Sequence, residues 1–516
     1  MTNTFGGKPH VLILGGGSVG MTTASELRKT LGAEVAITVV DPRPYMTYAP
    51  FLPEVGAGSI DPRNVLAPLR KILTGTKVVT GSVAAIRSAE HTVVVDTEEG
   101  EQLEISYDYL VVGLGAVPRL LPIPGLAENA IGFKQVEEAA AVRDRILANL
   151  AEAATTKDPK LRKRLLTFTF IGGGFAGGEA VSEAEDMVRD ALRYYPDLHA
   201  SDIRFVLVDG APFIFPELTE DQRAYVLNQL RERGIEVKLE TFLNSAENGV
   251  IKTSDGDEFE TDLLVWNAGV KPNPVLFDEE TSDLPIVTER GPLMGKVQVL
   301  PDLRVNGEDG PFDDVFAAGD CAAVPDLASG EGKFCPPNAQ HAVRQAKRLA
   351  DNIARSVQGR PLVDYYHKNL GVFATLGMYK GVGRLMLGEK ELDIRGLPAW
   401  AMARSYHLYA MPTIGRKVSV AAGWVGNLVS RRDIIGIPQA ETPRAAFEEF
   451  AARPRPAAPE AAPAAPAAPA APAIDPKSVV GEAAPVAGEK PADDAPKTDA
   501  EVKAPTKKKA PAKAKA

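Results

Sequence analysis

The sequence predicts an α/β protein with two doubly wound parallel-sheet domains, a small C-terminal helical module and a disordered tail. Three observations lead there. An apolar run ending in a glycine-rich turn occurs twice, as Val11-Leu12-Ile13-Leu14-Gly15-Gly16-Gly17-Ser18-Val19-Gly20 and as Phe168-Thr169-Phe170-Ile171-Gly172-Gly173-Gly174-Phe175-Ala176-Gly177. Each turn is followed, after a helical stretch, by a second apolar run that ends in an acid, Asp41 or Asp209. Beyond about residue 441 the composition changes to Pro-Ala repeats and then to lysines.

Residues 11–14 read as a buried strand, 21–30 as a helix and 37–41 as the next strand, which makes a βαβ unit. The turn fits GxGxxG at Gly15, Gly17 and Gly20. Such a loop lets the backbone approach a pyrophosphate and aims a helix N-terminus at its charge. Asp41 would take the ribose hydroxyls of an adenosine. The second copy places Gly172, Gly174 and Gly177 before a helix through Ala191 and a strand over 203–209. Asp209 at its end favours a free 2′-hydroxyl, because a 2′-phosphate would meet like charge. Arg204 on the same strand is the opposing signal. Either turn alone also reads as a tight strand–helix connection with no ligand. Two copies imply two dinucleotides facing each other, the way a flavin is set against a nicotinamide. Three more apolar strands end in glycine or acid, over 109–115, 263–269 and 315–320, the last ahead of a helix starting near Asn338. A parallel sheet shows this where its carboxyl edge meets a ligand, which adds Gly115, Gly269, Gly319 and Asp320 to the candidate site.

The chain has 516 residues, room for two or three domains, and is 45% hydrophobic. The cysteines, Cys321 and Cys335, form no CxxC, which argues against a disulfide framework, a zinc finger or a dithiol redox centre. No metal site is expected. The first residues hold no apolar segment of a signal peptide, and no apolar run reaches the ~18 residues that span a bilayer. The expectation is a cytoplasmic protein, soluble or peripheral. Net charge is −10, so nucleic acid is not an expected partner. From residue 451 onward there are 11 Lys and Arg against 8 Asp and Glu, so the body is more acidic than the total. The segment 441–516 cannot bury enough apolar surface to offset its ordering entropy and is read as disordered.

These residues resemble the two-dinucleotide flavoprotein reductases through 15–20, the 113–115 turn with Pro122-Ile123-Pro124-Gly125, 172–179 and Ala318-Gly319-Asp320. Three further stretches are similar to the type II NADH dehydrogenases, the single-subunit NADH:quinone oxidoreductases. They are Tyr48-Ala49-Pro50-Phe51-Leu52-Pro53-Glu54-Val55-Gly56-Ala57-Gly58, Pro336-Pro337-Asn338-Ala339-Gln340-His341-Ala342, and the run from Gly371 to Asp433. The match covers roughly residues 8–437.

The resemblance implies FAD on the first glycine loop and NADH on the second. It implies that Glu179 lies near nicotinamide and flavin and relays protons; the same acid also reads as a helix-dipole residue. Asp320 would accept from the flavin's ribityl hydroxyls, or simply cap a helix. Gln340 and Arg344, one helical turn apart, would line a slot for quinone, menaquinone or ubiquinone. The family usually carries a second Gln where Arg344 stands, with Gln345 next, and often a Pro-Thr-Gly-Val-like run where 175–178 stands. His341 reads as a packed residue, and Cys321 as a small packed side chain. The expected roles are catalytic for Glu179, Gln340 and Arg344.

The stretch 398–433 is aromatic and basic, with Val418, Ala421, Ala422, Val425, Leu428 and Val429 at helical spacing. Such a helix can lie in a headgroup plane, with Trp at the interface and Arg or Lys toward anionic lipid; it also reads as a packed C-terminal helix or a dimer interface. The expected division is FAD-binding at 8–125 and 295–370, NADH-binding at 126–294, a membrane-association or dimer module at 371–440 and the tail at 441–516. The expected activity is hydride transfer from NADH to flavin, then two electrons to a membrane quinone without proton pumping, on the cytoplasmic face of the membrane. Two other readings remain open. One is a soluble NAD(P)H-dependent flavin reductase with another acceptor, and the other is an NADH-responsive redox sensor or scaffold.

Overall fold

In the computed structural model, residues 7–436 are described, apart from 389. The expected disordered segment from 441 lies outside the described residues. In chain order the elements that position the site are β1 (His10–Leu14), α1 (Ser18–Leu31), β2 (Ala36–Asp41), β3 (Lys77–Thr80), β4 (Tyr109–Val112), α2 (Val136–Thr155), β5 (Thr167–Ile171), α3 (Phe175–Ala191), β6 (Arg204–Val208), β7 (Ile235–Lys238), β8 (Leu263–Trp266), β9 (Gly310–Ala317) and α4 (Ala339–Val357). They are followed by β10 (Gly371–Thr375), β11 (Gly381–Leu387), β12 (Lys390–Arg395), α5 (Leu397–Ala410) and α6 (Ile414–Ser430).

Two sheets carry the glycine turns. The first runs Arg304–Gly307, β9, β4, β1, β2, β3, and the second runs Ala130–Gly132, β8, β5, β6, β7. All neighbours are parallel except the hairpin of Arg304–Gly307 with β9. In each, the glycine-bearing strand is central, between a strand ending in an acid and one ending in a glycine turn. β1 and β5 are buried along their whole length, as continuous apolar strands in a covered parallel sheet must be. The first sheet draws strands from both ends of the described chain, since β9 pairs β4 only after the second sheet is complete.

The C-terminal module differs from the helical one expected. It opens with an antiparallel meander of β10, β11 and β12 before α5 and α6. The strands are short and glycine-broken, with Gly371, Gly381 and Gly383 in them, so no clean alternation marks them in sequence.

One helix ties this module to the rest. Along α3, Glu183, Asp186 and Asp190 follow at helical spacing, and all three lie within ion-pair reach of Arg432, at 2.9, 3.5 and 3.7 Å. Arg432 is fully buried. Arg404 on α5 reaches Glu183 at 3.3 Å and Glu54 at 3.0 Å. Arg233 pairs with Glu185 and, at 2.7 Å, with Asp186. Thus Arg404 and Arg432 do not face lipid as the sequence reading had it. Trp424 also turns inward, edge-on to Phe51 at 5.6 Å. A charge left in such a place without its partner costs about 3–5 kcal/mol. Arg432→Met is therefore expected to lower unfolding free energy by about that amount, and Arg432→Met with Glu183→Gln by much less, read from chemical-denaturation midpoints.

Candidate active site

The two glycine turns are built to one plan. Gly15 has φ +95° and Gly172 φ +107°, a left-handed conformation that frees the chain to turn at once from strand to helix. A Cβ at Gly20 would run into the carbonyl oxygen of Gly15, and one at Gly177 into that of Gly172. These glycines let α1 and α3 begin hard against the strand ends. At Gly17 and Gly174, by contrast, a Cβ would meet nothing within 4 Å. The middle glycine of each turn faces open space. It is also the N-cap of its helix, with no side-chain cap and no acid in the first turn. Two sets of helix N–H groups are thus left for an outside acceptor.

The acids close the plan. Asp41 accepts from Gly16 N at 2.7 Å and Arg43 N at 2.8 Å. Asp209 accepts from Gly173 N, and from Ala211 N at 2.7 Å. Burial raises the pKa of Asp41, against the backbone N–H groups and Arg43 that favour its ionised form. Arg204, the opposing signal for the second ribose, is engaged elsewhere, with Glu236 at 2.8 Å and Asp257 at 3.4 Å.

The remaining turns arrive from neighbouring strands. Gly115 (φ +66°) and Gly269 (φ +92°) have no heavy atom within 4 Å of an added Cβ. Gly319 (φ +80°) lies against Val19 of α1, and its N–H donates to Gln345 Oε1 at 2.8 Å. So Gln345 braces the 319–320 turn. Asp320 has Lys134 Nζ at 3.8 Å and feels Lys296; burial lowers both lysines' pKa values, and Asp320 opposes this. Nothing in the residue pattern around Lys134, Lys296 or Gln345 singles them out. Cys321 is buried, its thiol pushed up to about 11 by that burial, as fits a packed side chain.

Glu179 stands five residues after Gly174 on α3. Its carboxylate accepts from Thr375 N at 2.8 Å and Thr375 Oγ1 at 3.3 Å, so β10 reaches over the helix start. Burial pushes its pKa up to about 8, the Thr375 donors opposing and the charges of Glu54 and Glu183 adding to the rise. Below that value Glu179 holds a proton it can give.

On α4, Arg344 Nη1 donates to Gln340 O at 3.0 Å, so these residues share a face. Gln340 Oε1 lies 3.3 Å from His367 Nε2, and buried His341 Nδ1 lies 3.0 Å from Tyr365 Oη. Burial, then the Arg344 charge, lowers His367 to about 4, leaving a neutral ring at pH 7. Tyr365 and His367 come from the loop after α4, which carries no motif of its own.

Two glycine turns built to one plan, each at the carboxyl edge of its own parallel sheet, have the form of dinucleotide cradles, as in the two-nucleotide oxidoreductases. The family model of the pyridine nucleotide-disulphide oxidoreductases matches residues 9–346. A type II NADH:quinone oxidoreductase of Staphylococcus epidermidis is 30% identical over 383 residues, 73% of this chain and 89% of that protein. That of Mycobacterium tuberculosis is 29% identical over 437 residues, 82% of this chain and 89% of that protein. The solved structure of NDH2 from Plasmodium falciparum in complex with NADH matches with a TM-score of 0.74 at 17% identity, covering 83% of this chain and all of that one. The chain belongs to the pyridine nucleotide-disulphide oxidoreductases and, within them, to the type II NADH:quinone oxidoreductases.

Because Gly17 alone of its turn faces open space, Gly17→Val is expected to remove bound flavin while leaving the fold, and Gly20→Val to damage both. Flavin absorbance per chain and far-UV circular dichroism check this. Asp209→Ala is expected to narrow the ratio of NADH to NADPH turnover by about 10-fold, a loss of roughly 1.4 kcal/mol of discrimination.

Proposed function

We propose that the first cradle holds FAD and the second NADH, and that the enzyme passes two electrons from NADH to a membrane quinone without pumping protons. The observation that carries this is the duplicated turn whose middle glycine opens onto uncapped helix N–H groups, with an acid at the next strand end. That donor set suits a pyrophosphate and a ribose diol. Gly15, Gly17, Gly20 and Asp41 would hold the ADP half of FAD, and Gly115, Gly319 and Asp320 its ribityl side. Gly172, Gly174, Gly177, Asp209 and Gly269 would hold NADH, with Arg204 already paired and so unavailable to a 2′-phosphate. FAD, when bound, supplies the two-electron chemistry that no side chain here provides. The protein's part is to orient the two nucleotides and to manage the proton.

Glu179 is the proton-donating residue of this reading. Gln340 and Arg344, with His367 beside them, offer donors to a quinone carbonyl, menaquinone or ubiquinone.

Membrane contact is assigned to α6. Among the described residues no helix is long and apolar enough to cross a membrane. Yet Ile414, Val418, Val425, Leu428 and Val429 are 63–88% exposed along one helix, with Lys417 nearby. This face would lie in the headgroup layer at the cytoplasmic side of the membrane. A homodimer is the competing use of the same face.

Anaerobic titration tests the activity. NADH is expected to bleach a flavin band, and a soluble menaquinone analogue to restore it promptly. Bleaching without return would move the acceptor elsewhere. The restoring rate is expected to fall as pH rises through about 8, when Glu179 loses its proton, and Glu179→Gln to abolish that inflection. Val425→Asp with Leu428→Asp is expected to weaken partition onto anionic vesicles at least roughly 100-fold, since each apolar side chain buried contributes about 1.5–3 kcal/mol. Unchanged partition with a lost dimer in sedimentation would assign the face to a second copy.

A further inference from the structure

We propose that Glu54 is a proton reservoir for acceptor reduction, passing its proton to Glu179 through a buried polar chamber beneath α5 and α6. This rests on the role given to Glu179 above. Glu54 sits on the helical turn Leu52–Val55, which packs against α3, and its side chain is 4% exposed. It is no part of either nucleotide cradle.

Its charge environment is short of cations. Arg404 Nη2 is shared between Glu54 Oε1 at 3.0 Å and Glu183 Oε1 at 3.3 Å. Glu183 alone has a second arginine, Arg432 at 2.9 Å. Burial opposes ionisation of Glu183, but Arg432 and Arg404 outweigh it and hold its pKa below the usual carboxylate range. For Glu54 burial outweighs Arg404, Glu183 adds to the rise, and Arg432 acts only weakly against it. Tyr48, whose phenol is also raised by burial, faces it too, with His407 packed against Tyr48 and Phe51. Of two acids competing for one guanidinium, Glu54 is the one that keeps a proton.

The second observation is a shell of buried polar atoms. Glu54 Oε2 has no hydrogen-bond partner among the described residues, and neither do Ser59 Oγ, Arg404 Nε, Trp400 Nε1 and Trp424 Nε1. These residues are neighbours: the Arg404 guanidinium lies 4.7 Å from the Trp400 ring centre and 5.0 Å from that of Trp424, and Ser59 N donates to Glu54 O. Buried polar groups in native proteins are satisfied, so a cluster of orphans marks a place that binds internal water. The turn Leu52–Val55 that carries Glu54 packs directly against α3, which carries Glu179. An acid whose burial favours its protonated form, a cluster of unpartnered buried polar atoms and the helix that carries Glu179 are thus packed together.

The reaction needs such a source. In NADH + H⁺ + quinone → NAD⁺ + quinol, the hydride brings both electrons and one hydrogen. The other proton comes from the protein. As the quinol O–H forms, the Glu179 O–H breaks, Glu54 gives Glu179 its proton through the chamber, and Glu54 takes one from solvent.

The test uses the full-length holoenzyme. Glu54→Gln keeps the shape and the bond to Arg404 but holds no transferable proton. Flavin content and bleaching by NADH are expected to match the parent. Return of the flavin band on a soluble menaquinone analogue is expected to slow at least about 10-fold, with a larger solvent deuterium effect, and Glu54→Asp to recover part of the rate. Return at the parent rate with an unchanged pH profile overturns the proposal. If Glu54→Gln does not fold, infrared titration of Glu179→Gln decides it. A buried carboxylic-acid carbonyl band at neutral pH that shifts when Glu54→Asp is added supports the reservoir, and no such band overturns it. Failure of the parent enzyme to return its flavin band would instead strike at the acceptor assignment above.

Discussion

Two helices begin in contact with the ends of buried strands, and this close approach governs the site. Only glycine at 20 and 177 permits it, since any side chain would strike the carbonyl of Gly15 or Gly172. The N-caps of both helices, Gly17 and Gly174, carry no capping side chain and face open space. The cost of leaving helix ends uncapped is offset only when an outside acceptor fills them. The constraint on packing and the proposed phosphate cradle are therefore one feature of the backbone, used twice.

α3 joins the parts of the enzyme. Its N-terminus is the second cradle, its first turns carry Glu179, and its acid stripe is held by Arg404 and Arg432 of the C-terminal module. Ion pairs this deeply buried contribute little net stability against an apolar alternative, but they break at high cost when one partner is lost. They fix where β10 lies, and with it the Thr375 donors on Glu179. The same arrangement makes Glu54 and Glu183 share Arg404, while burial favours the protonated form of Glu54 and of Glu179.

Much of this was legible in the residue pattern, because the dinucleotide turn is local. Strand, glycines, helix and terminal acid lie within residues 10–41 in the first copy and within the longer stretch 167–209 in the second, and steric rules act on neighbours in sequence. The α/β class and the pairing of turn with acid at Asp41 and Asp209 therefore read directly. The helix starting after Asn338 reads directly too, since the Asn338 side chain caps it by accepting from His341 N. The meander of β10 to β12 did not read, because its glycines erase alternation.

The inward turn of Arg404, Trp424 and Arg432 was likewise hidden. An arginine in an aromatic, basic stretch looks the same in sequence whether it faces lipid or a carboxylate two hundred residues away. The amino-acid sequence by itself determined the two cradles, the acids that close them and the apolar stripe of α6. Only the tertiary structure decided that Gln345 braces Gly319, that Arg204 is occupied by Glu236, and that Glu54 and Glu183 compete for Arg404. The physical reason is range: backbone sterics and capping act within a few residues, whereas the partner of a buried charge is set by which distant elements the packing brings together.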